Sequence, residues 1–482
     1  MTGTSSSRPF QVALAVIALG AFLLRVFPFF GADGAWSYRV DYDEGVYFSS
    51  AALMFDGLLP YRDFVFVHPP GLLVFLGLTS AWTKSFLGVD GAFALSRWIA
   101  AALGTINVLL VARLVLRWPG TTAARWGALF GAAFYATYPE VVQVERGPFL
   151  EPLLNLVCLS LATTVIHSGG HRRWIWVAGA LAGLAVSIKL WAVLWVAGAL
   201  WGLRSFATRR EVLVFLGAAA VTCGLIVIPF AAMAPGNFVI QSGLFHLWRP
   251  PDGLTDRLAR VEQIVALRHL ASPLLALLLL GLLAARRGPA WSLTARVVVP
   301  AYVLTLLAYF ASRAYWSQYN AHLIASEAVL AGAVIAFVGA RAALPLRVLA
   351  AFAVVLSVFH CHRRAQGDSQ HLLVARSPLK GTPDCVFTFE PGWSLAAGRL
   401  PPRVAGTAMI VDNYAHQLLE AVEGGKRFAS STEAFASVRT PSAAVSACRY
   451  VVLGVRGGRQ MGGLEATHAA TQVMGFEVWE RR

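Results

Sequence analysis

Residues 38–71 read YRVDYDEGVYFSSAALMFDGLLPYRDFVFVHPPG and follow the first long apolar segment of the chain. Asp41, Asp43 and Glu44 lie within four residues, ahead of a stretch that favours a helix as far as Phe55. A carboxylate cluster at the mouth of a membrane bundle is costly to hold in apolar surroundings, and such residues usually serve a function. We therefore take this stretch as the candidate site around which the rest of the chain is organised.

The composition indicates an integral membrane protein. The chain has 482 residues, 57% of them hydrophobic and 13% charged, with a mean hydropathy of +0.62, whereas a soluble domain averages about 25% charged residues. The net charge of +15 comes from arginines spread between apolar segments. That distribution is typical of topology signals that face anionic lipid, and it argues against a nucleic-acid partner.

Eleven apolar segments are candidates for membrane spans. They are residues 10–30, 93–116, 124–138, 151–167, 174–188, 190–204, 211–233, 268–285, 297–312, 320–340 and 344–360. A twelfth apolar piece, 71–87, is placed on the outer surface as a peripheral helix, because the arginine-rich loops then all lie on one side of the membrane. The positive-inside rule assigns that side to the cytoplasm. We predict a multi-pass protein of the plasma membrane with its N-terminus inside and the acidic loop outside.

The composition changes at about residue 361, where charges of both signs appear between shorter apolar runs. Short apolar runs and helix-like stretches alternate at 386–389, 414–422, 432–438, 450–453 and 476–479. We predict a small α/β domain over 361–482, outside the cell, following a membrane domain over 1–360.

Two cysteines precede predicted strands of this domain, Cys385 and Cys448. An extracellular compartment is oxidising and would allow a disulfide between them. We nevertheless expect free thiols.

The carboxylates of the first loop are candidates for acid–base chemistry. Asp43 and Glu44 open the predicted helix, and a helix N-terminus favours negative charge by roughly 0.3–1 kcal/mol. An ionised carboxylate can deprotonate an acceptor hydroxyl. Capping the helix requires one acid, whereas the loop supplies three. We predict a catalytic base here, with Asp43 ahead of Asp41 and Glu44.

Other charged residues are predicted to lie at the same outer face. Glu151 and Arg146 flank an outward turn, where they form a second-acid or acceptor site, or where Glu151 only charges a helix start. Lys189 interrupts an apolar stretch, where an unpaired cation costs about 2.5–3.5 kcal/mol. It either binds a lipid-linked phosphate or extends toward the lipid headgroups.

Three further candidates have equally plain alternatives. His68 could contact an acceptor or a metal, although its HPPG context also suits a stiff entry into a helix. Arg249 and Tyr319 belong to clusters of polar and aromatic residues that can hold a sugar or a phosphate. The same clusters are typical of the aromatic belt at a membrane interface.

Three motifs in the first loop carry a resemblance to a known family. DYDEGVY at 41–47, GLLPYRDF at 57–64 and HPPG at 68–71 resemble the first external loop of the GT-C superfamily. Within it, the chain resembles the protein O-mannosyltransferase and aminoarabinose transferase group, which uses polyprenyl-phosphate sugars. One departure is the H-P-P, where the aminoarabinose group has K-P-P, so details of donor and acceptor are not carried over.

The resemblance implies an α-helical GT-C membrane domain whose first external loop, 31–92, contains the catalytic acid at Asp43 or Glu44. It implies an inverting glycosyltransferase that moves a sugar from a polyprenyl-phosphate donor to an acceptor hydroxyl outside the membrane. Lys189, Arg249 and Arg62 are the candidates to bind the donor phosphate, and a divalent cation could replace one of them.

The main alternative is a transporter or flippase of lipid-linked sugars. It would need charged residues at the membrane midplane and repeat symmetry, and the sequence shows neither. A scaffold for envelope assembly with an inactive site is a second alternative.

Overall fold

The fold is given by a computed structural model. It describes residues 8–31, 34–38, 40–118, 124–169, 171–265, 292–338, 359, 385–403, 409–429, 433–434, 448–453, 468–473 and 476–481. The predicted span 268–285 lies outside the described residues, as do all of 344–360 except residue 359 and all of the helix-like stretch 432–438 except residues 433–434.

Helices account for most of the described chain. In order they are α1 (Arg8–Val26), α2 (Tyr42–Phe55), α3 (Gly71–Thr79), α4 (Lys84–Leu116), α5 (Ala124–Thr137), α6 (Pro139–Val144), α7 (Leu150–Ser168), α8 (Ile175–Ile188), α9 (Ala192–Leu203), α10 (Arg209–Met233), α11 (Pro235–Val239), α12 (Phe245–Trp248), α13 (Leu254–Val265), α14 (Leu293–Ala311), α15 (Asn320–Val338), α16 (Pro391–Ala396) and α17 (Asn413–Glu423). Several begin with proline, which suits a first helical turn because no backbone N–H is needed there.

Within the described residues, six helical stretches are long and apolar enough to cross a membrane. They are Arg8–Phe30, Ala81–Leu116, Leu150–Ser168, Arg209–Met233, Leu293–Ala311 and Ser317–Ala336. The segments predicted at 124–138, 174–188 and 190–204 form the shorter apolar helices α5, α8 and α9. The predicted helical membrane fold is therefore confirmed, and the number of eleven spans stays a prediction.

Small residues allow the bundle helices to pack closely. A Cβ atom on Gly127 of α5 would collide with the carbonyl oxygen of Gly332 on α15. A Cβ atom on Gly179 of α8 would collide with the carbonyl oxygen of Phe215 on α10 in the same way. Membrane helices associate through such close van der Waals packing, because lipid tails are as apolar as the side chains they replace. These glycines thus fix which helices are neighbours.

The first loop forms α2, α3 and a 3-10 turn, Ala81–Thr83, before α4 begins. Of the peripheral helix predicted at 71–87, the first nine residues form α3 and the last four belong to α4, and its place on the outer surface stays a prediction. A bend inside α4 is centred on Gly88, whose φ of 75° favours glycine.

The C-terminal part contains a four-stranded sheet in the order β1-β2-β4-β3. The strands are β1 (Val386–Thr388), β2 (Tyr450–Leu453), β3 (His468–Val473) and β4 (Phe476–Arg481). β1 pairs with β2 in parallel, and β4 runs antiparallel to both of its neighbours. Together with α16 and α17 the sheet confirms the predicted α/β character. The domain boundary near residue 361 stays a prediction.

Cys385 and Cys448 form a disulfide, so the expectation of free thiols is wrong. The parallel pairing of β1 with β2 brings together the residues that precede the two strands. Their Cα atoms lie 4.6 Å apart, and the Tyr450 N–H donates to the Cys385 carbonyl oxygen at 3.1 Å. The sequence placed each cysteine before a strand but did not tell which strands pair.

The C-terminal domain packs directly on the first loop. Phe64 and Met409 form an isolated backbone bridge. Gly45 of α2 lies so close to Gly392 of α16 that a Cβ atom would collide with the Gly392 backbone. The helix that carries the acidic cluster is therefore held between the membrane bundle and the C-terminal domain.

Candidate functional site

A cavity of about 790 Å³ opens where the first loop, the membrane bundle and the C-terminal domain meet. Its polar lining consists of Asp41, Tyr42, Asp43, Tyr47, His68, Glu140, Gln143, His246, Arg249, Ser317, Gln318, Tyr319, Asp412 and Tyr414. Aromatic rings, among them Phe66, Phe245, Trp316 and Phe389, line the same space. A pocket of this size with mixed polar and aromatic walls is suited to a small-molecule ligand that has both polar and apolar parts.

At the start of α2 the three predicted acids, Asp41, Asp43 and Glu44, make different contacts. The Asp41 carboxylate accepts from the Asp43 backbone N–H at 3.2 Å, and the Glu44 carboxylate accepts from the Asp41 N–H at 2.7 Å. This reciprocal arrangement is a capping box. The Asp43 side chain takes no part in it and instead accepts a hydrogen bond from the Gln318 amide in the cavity wall.

Glu44 is buried behind the cavity and does not line it. Its carboxylate receives Arg97 Nη2 at 2.6 Å and Arg97 Nε at 3.1 Å. Arg97 also donates to the carbonyl oxygens of Ala35 and Tyr38. The fork of the guanidinium therefore ties the start of α2 to the segment before it.

The pKa of Asp43 is raised to about 7, first by burial and then by the neighbouring carboxylates of Asp41, Asp412 and Glu151. The hydrogen bond from Gln318 acts in the opposite direction but is weaker. A carboxyl group with this pKa is partly ionised at neutral pH and can both accept and release a proton there.

Lys189 and Glu151 form a buried ion pair with Nζ and Oε1 2.6 Å apart. The Lys189 ammonium also lies 4.2 Å from the centre of the Tyr319 ring. Neither charged residue lines the cavity, although Tyr319 does. The sequence predicted Glu151 for a second-acid or acceptor site and Lys189 for the donor phosphate, whereas in the structure the two side chains pair with each other.

Arg249 lines the cavity and is the predicted phosphate ligand that reaches it. Its guanidinium lies 5.6 Å from the Phe245 ring centre and 5.7 Å from that of Trp316. Contacts with aromatic rings stabilise a guanidinium without neutralising its charge.

Arg62, predicted to bind the donor phosphate, and Arg146, predicted at the second-acid or acceptor site, do not line the cavity. Arg62 is half exposed and pairs with Asp63 at 2.8 Å. Arg146 is buried and donates to the carbonyl oxygens of Leu24 and Arg25, at 2.8 and 3.2 Å. It stabilises the C-terminal end of α1, where backbone carbonyls lack helical partners.

His68 lines the cavity beside a second imidazole, His246, with ring centres 5.5 Å apart. His68 Nε2 lies 3.2 Å from the Tyr47 hydroxyl, and His246 Nε2 lies 2.8 Å from the Val67 carbonyl oxygen. Burial lowers the pKa of His68, and the neighbouring His246 lowers it further. Burial, then Arg249, lowers the pKa of His246 to about 4. Both rings are therefore neutral near pH 7.

No protein-family model matches the sequence, and no curated protein matches it. Solved structures do match. ArnT from Cupriavidus metallidurans bound to undecaprenyl phosphate is 14% identical, with 98% of each chain covered and a TM-score of 0.59. The archaeal oligosaccharyltransferase AglB from Archaeoglobus fulgidus, in complex with an inhibitory peptide and a dolichol-phosphate, is 13% identical. That match covers 94% of this chain and 70% of AglB, with a TM-score of 0.56.

The chain has the GT-C fold. The likeness to ArnT extends over the membrane bundle and the C-terminal domain alike, since it covers 98% of both chains. It confirms the architecture that the first-loop motifs predicted.

The C-terminal domain contributes lining residues of the cavity that sequence reasoning missed, among them Phe389, Asp412 and Tyr414. No motif marks them. For Asp412 the sequence did contain a signal, because this acid comes just before the helix-like stretch 414–422, as Asp43 comes at the start of its own helix. Within the described residues, no three His, Cys, Asp or Glu side chains form a group that could hold a metal ion. We therefore assign no ligands to a divalent cation in this cavity.

Proposed function

We propose that the protein is a membrane glycosyltransferase that moves a sugar from a polyprenyl-phosphate donor to an acceptor hydroxyl with inversion. One observation carries the proposal. Asp43, with its pKa raised to about 7, faces the same cavity as the Arg249 cation. The GT-C fold supports it, since ArnT and AglB were solved with undecaprenyl phosphate and a dolichol-phosphate.

The reaction is a single displacement. The Asp43 carboxylate takes the proton of the acceptor hydroxyl as its oxygen attacks the anomeric carbon of the donor sugar. The bond from that carbon to the phosphate oxygen breaks, and polyprenyl phosphate departs with the electron pair. Attack from the side opposite the leaving group inverts the anomeric centre. A phosphate leaves as a stable anion, so its departure needs stabilisation by a cation and no separate acid.

Arg249 is assigned to the leaving phosphate ahead of Lys189 and Arg62. Its charge faces the cavity, whereas Glu151 neutralises Lys189 and Arg62 is outside the cavity. His68 and Tyr319 are assigned to the acceptor or the sugar, because both line the cavity and present neutral polar groups. Glu151 and Arg146 then act indirectly, through Lys189 and through the end of α1.

We place the cavity at the outer face of the plasma membrane, with the N-terminus in the cytoplasm. The positive-inside rule supports this orientation, and so does the disulfide in the C-terminal domain, because disulfides persist in oxidising compartments.

Two single-cysteine variants test the orientation, in a chain whose other unpaired cysteines are replaced. Arg62→Cys lies in the first loop, and Arg210→Cys lies at the exposed start of α10. A membrane-impermeant maleimide should label residue 62 in intact cells and residue 210 only after lysis. The opposite pattern would exclude a site outside the cell.

The activity is tested by complementation with a matched pair of variants. Asp43→Asn removes the base, whereas Asp56→Asn removes an exposed carboxylate just after α2. Mass analysis of envelope glycans from a strain lacking the protein identifies the missing sugar. Asp56→Asn should restore that sugar and Asp43→Asn should not, at equal protein levels. Restoration by Asp43→Asn would reject the proposal and favour a flippase or scaffold, for which this carboxylate has no task.

A further inference from the structure

The C-terminal domain delivers a carboxylate to the cavity that contains Asp43. Asp412 precedes α17, and its Oδ1 atom accepts from the Ala415 backbone N–H at 2.9 Å. The residue is buried yet lines the cavity. Asp412 therefore both caps α17 and forms part of the cavity wall.

A single side chain connects Asp412 to the start of α2. The Tyr42 hydroxyl donates to Asp412 Oδ1 at 3.0 Å and accepts from the Tyr414 N–H at 3.0 Å. Tyr42 immediately precedes Asp43 in the chain. Hydrogen bonds thus tie Asp412 to the residue next to Asp43, although 370 residues separate Tyr42 from Asp412.

Charged groups from several elements act on Asp43. Those that interact with it electrostatically are Asp41 at the helix cap, Asp412 from the C-terminal domain, Glu151 from α7 and Arg249 after α12. Lys189 compensates Glu151 as its ion-pair partner, and Gln318 contributes a neutral hydrogen bond. Asp41 and Asp412 are the carboxylates near Asp43 that line the cavity with it. Like charges favour the protonated form of a neighbouring carboxyl group.

We propose that Asp412 is a positioning residue of the transfer reaction, through which the C-terminal domain fixes the start of α2 and keeps a negative charge beside Asp43. The inference rests on the proposed function. The C-terminal domain is then a working part of the active site, and the proton affinity of the base depends on both halves of the protein.

Asp412→Asn isolates the charge from the structural contacts. Asparagine caps helices about as well as aspartate, and its amide oxygen can still accept from Tyr42. The variant should fold, while the like charge beside Asp43 is lost. Asp412→Glu keeps the charge and serves as the matched control.

The experiment measures initial transfer rates against pH for the full-length protein in detergent. The donor is the lipid-linked sugar fraction extracted from host membranes at limiting concentration, and the acceptor is washed envelope from the deletion strain. The rate of the wild type should rise through pH about 7, because the base must lose its proton. In Asp412→Asn this rise should move to lower pH, by about 0.5 unit or more. Asp412→Glu should keep the wild-type midpoint.

An unchanged midpoint in Asp412→Asn, with only a lower rate at every pH, would overturn the inference, because a purely structural role predicts that result. Should Asp412→Asn be poorly folded, Asp412→Ser retains a capping hydroxyl and is judged by the same midpoint. Different results would reject the proposed function and the role of Asp412. Activity in Asp43→Asn rejects the proposed function, whereas an inactive Asp43→Asn beside an unshifted Asp412→Asn rejects only the role of Asp412.

Discussion

Replacing Lys189 by methionine should destabilise the protein by about 3–5 kcal/mol, the usual cost of leaving one charge of a buried ion pair without its partner. The Lys189 and Glu151 side chains are only 4% and 2% exposed, and their charged atoms are 2.6 Å apart. Methionine keeps most of the aliphatic volume, so the loss is electrostatic and not a packing defect. Contact of the ammonium with the Tyr319 ring adds to the loss, by about 0.5–2 kcal/mol.

The double variant Lys189→Met/Glu151→Leu removes both charges and should recover most of that stability. Replacing a buried ion pair with apolar residues is often neutral or stabilising. The free energy of unfolding is measured by urea titration in mixed detergent micelles. Lys84→Met is the control, because its partner Asp56 is 46% exposed and loss of such a pair costs at most about 1 kcal/mol.

Equal destabilisation of the single and the double variant would refute this reasoning, since the cost would then not arise from the unpaired Glu151. The double variant also separates two roles of Lys189. If it folds and transfers sugar, Lys189 serves Glu151 alone. If it folds but no longer transfers sugar, Lys189 also contributes to the proposed site.

Three further predictions concern separate parts of the molecule. Transfer by the wild type should fall to about half of its maximum near pH 7 and continue to fall below it, because protonation removes the base Asp43; a rate profile that is flat across pH 7 would contradict this. Gly127→Leu should reduce the yield of folded protein, since overpacking costs about 1–3 kcal/mol or more, whereas Gly20→Leu, which meets no neighbour, should not. Cys385→Ser/Cys448→Ser opens a loop with a sequence separation of 63 and should cost about 4 kcal/mol, visible as faster proteolysis of the C-terminal domain; unchanged proteolysis would argue against a stabilising disulfide.

The sequence was most informative where the relevant physics is local. Helix-start chemistry placed α2 within a residue or two and singled out Asp43, which does face the cavity. The same local reasoning treated Glu44 and Lys189 as isolated charges. Their partners, Arg97 and Glu151, lie 53 and 38 residues away, and the pairing depends on how the helices pack.

The C-terminal domain shows the same limit. Its apolar runs predicted β1, β2 and β4, whereas β3, with the sequence HAATQV, lacks an apolar run and was missed. Strand order depends on contacts distant in sequence, so neither the disulfide nor the contribution of Asp412 to the cavity was predicted. The glycines of α5 and α8, such as Gly127 and Gly179, could have marked the faces on which these helices pack closely, because a side chain there would collide with the neighbouring helix.

The contact between Tyr42 and Asp412 has a consequence for how the protein is made. Tyr42 is synthesised 370 residues before the residue that its hydroxyl contacts. During translation the membrane helices are inserted well before the last wall of the cavity exists. A nascent chain that has emerged only as far as α15 therefore has Asp43 but lacks the lining residues Phe389, Asp412 and Tyr414, so the proposed site is completed only after the membrane helices have been made.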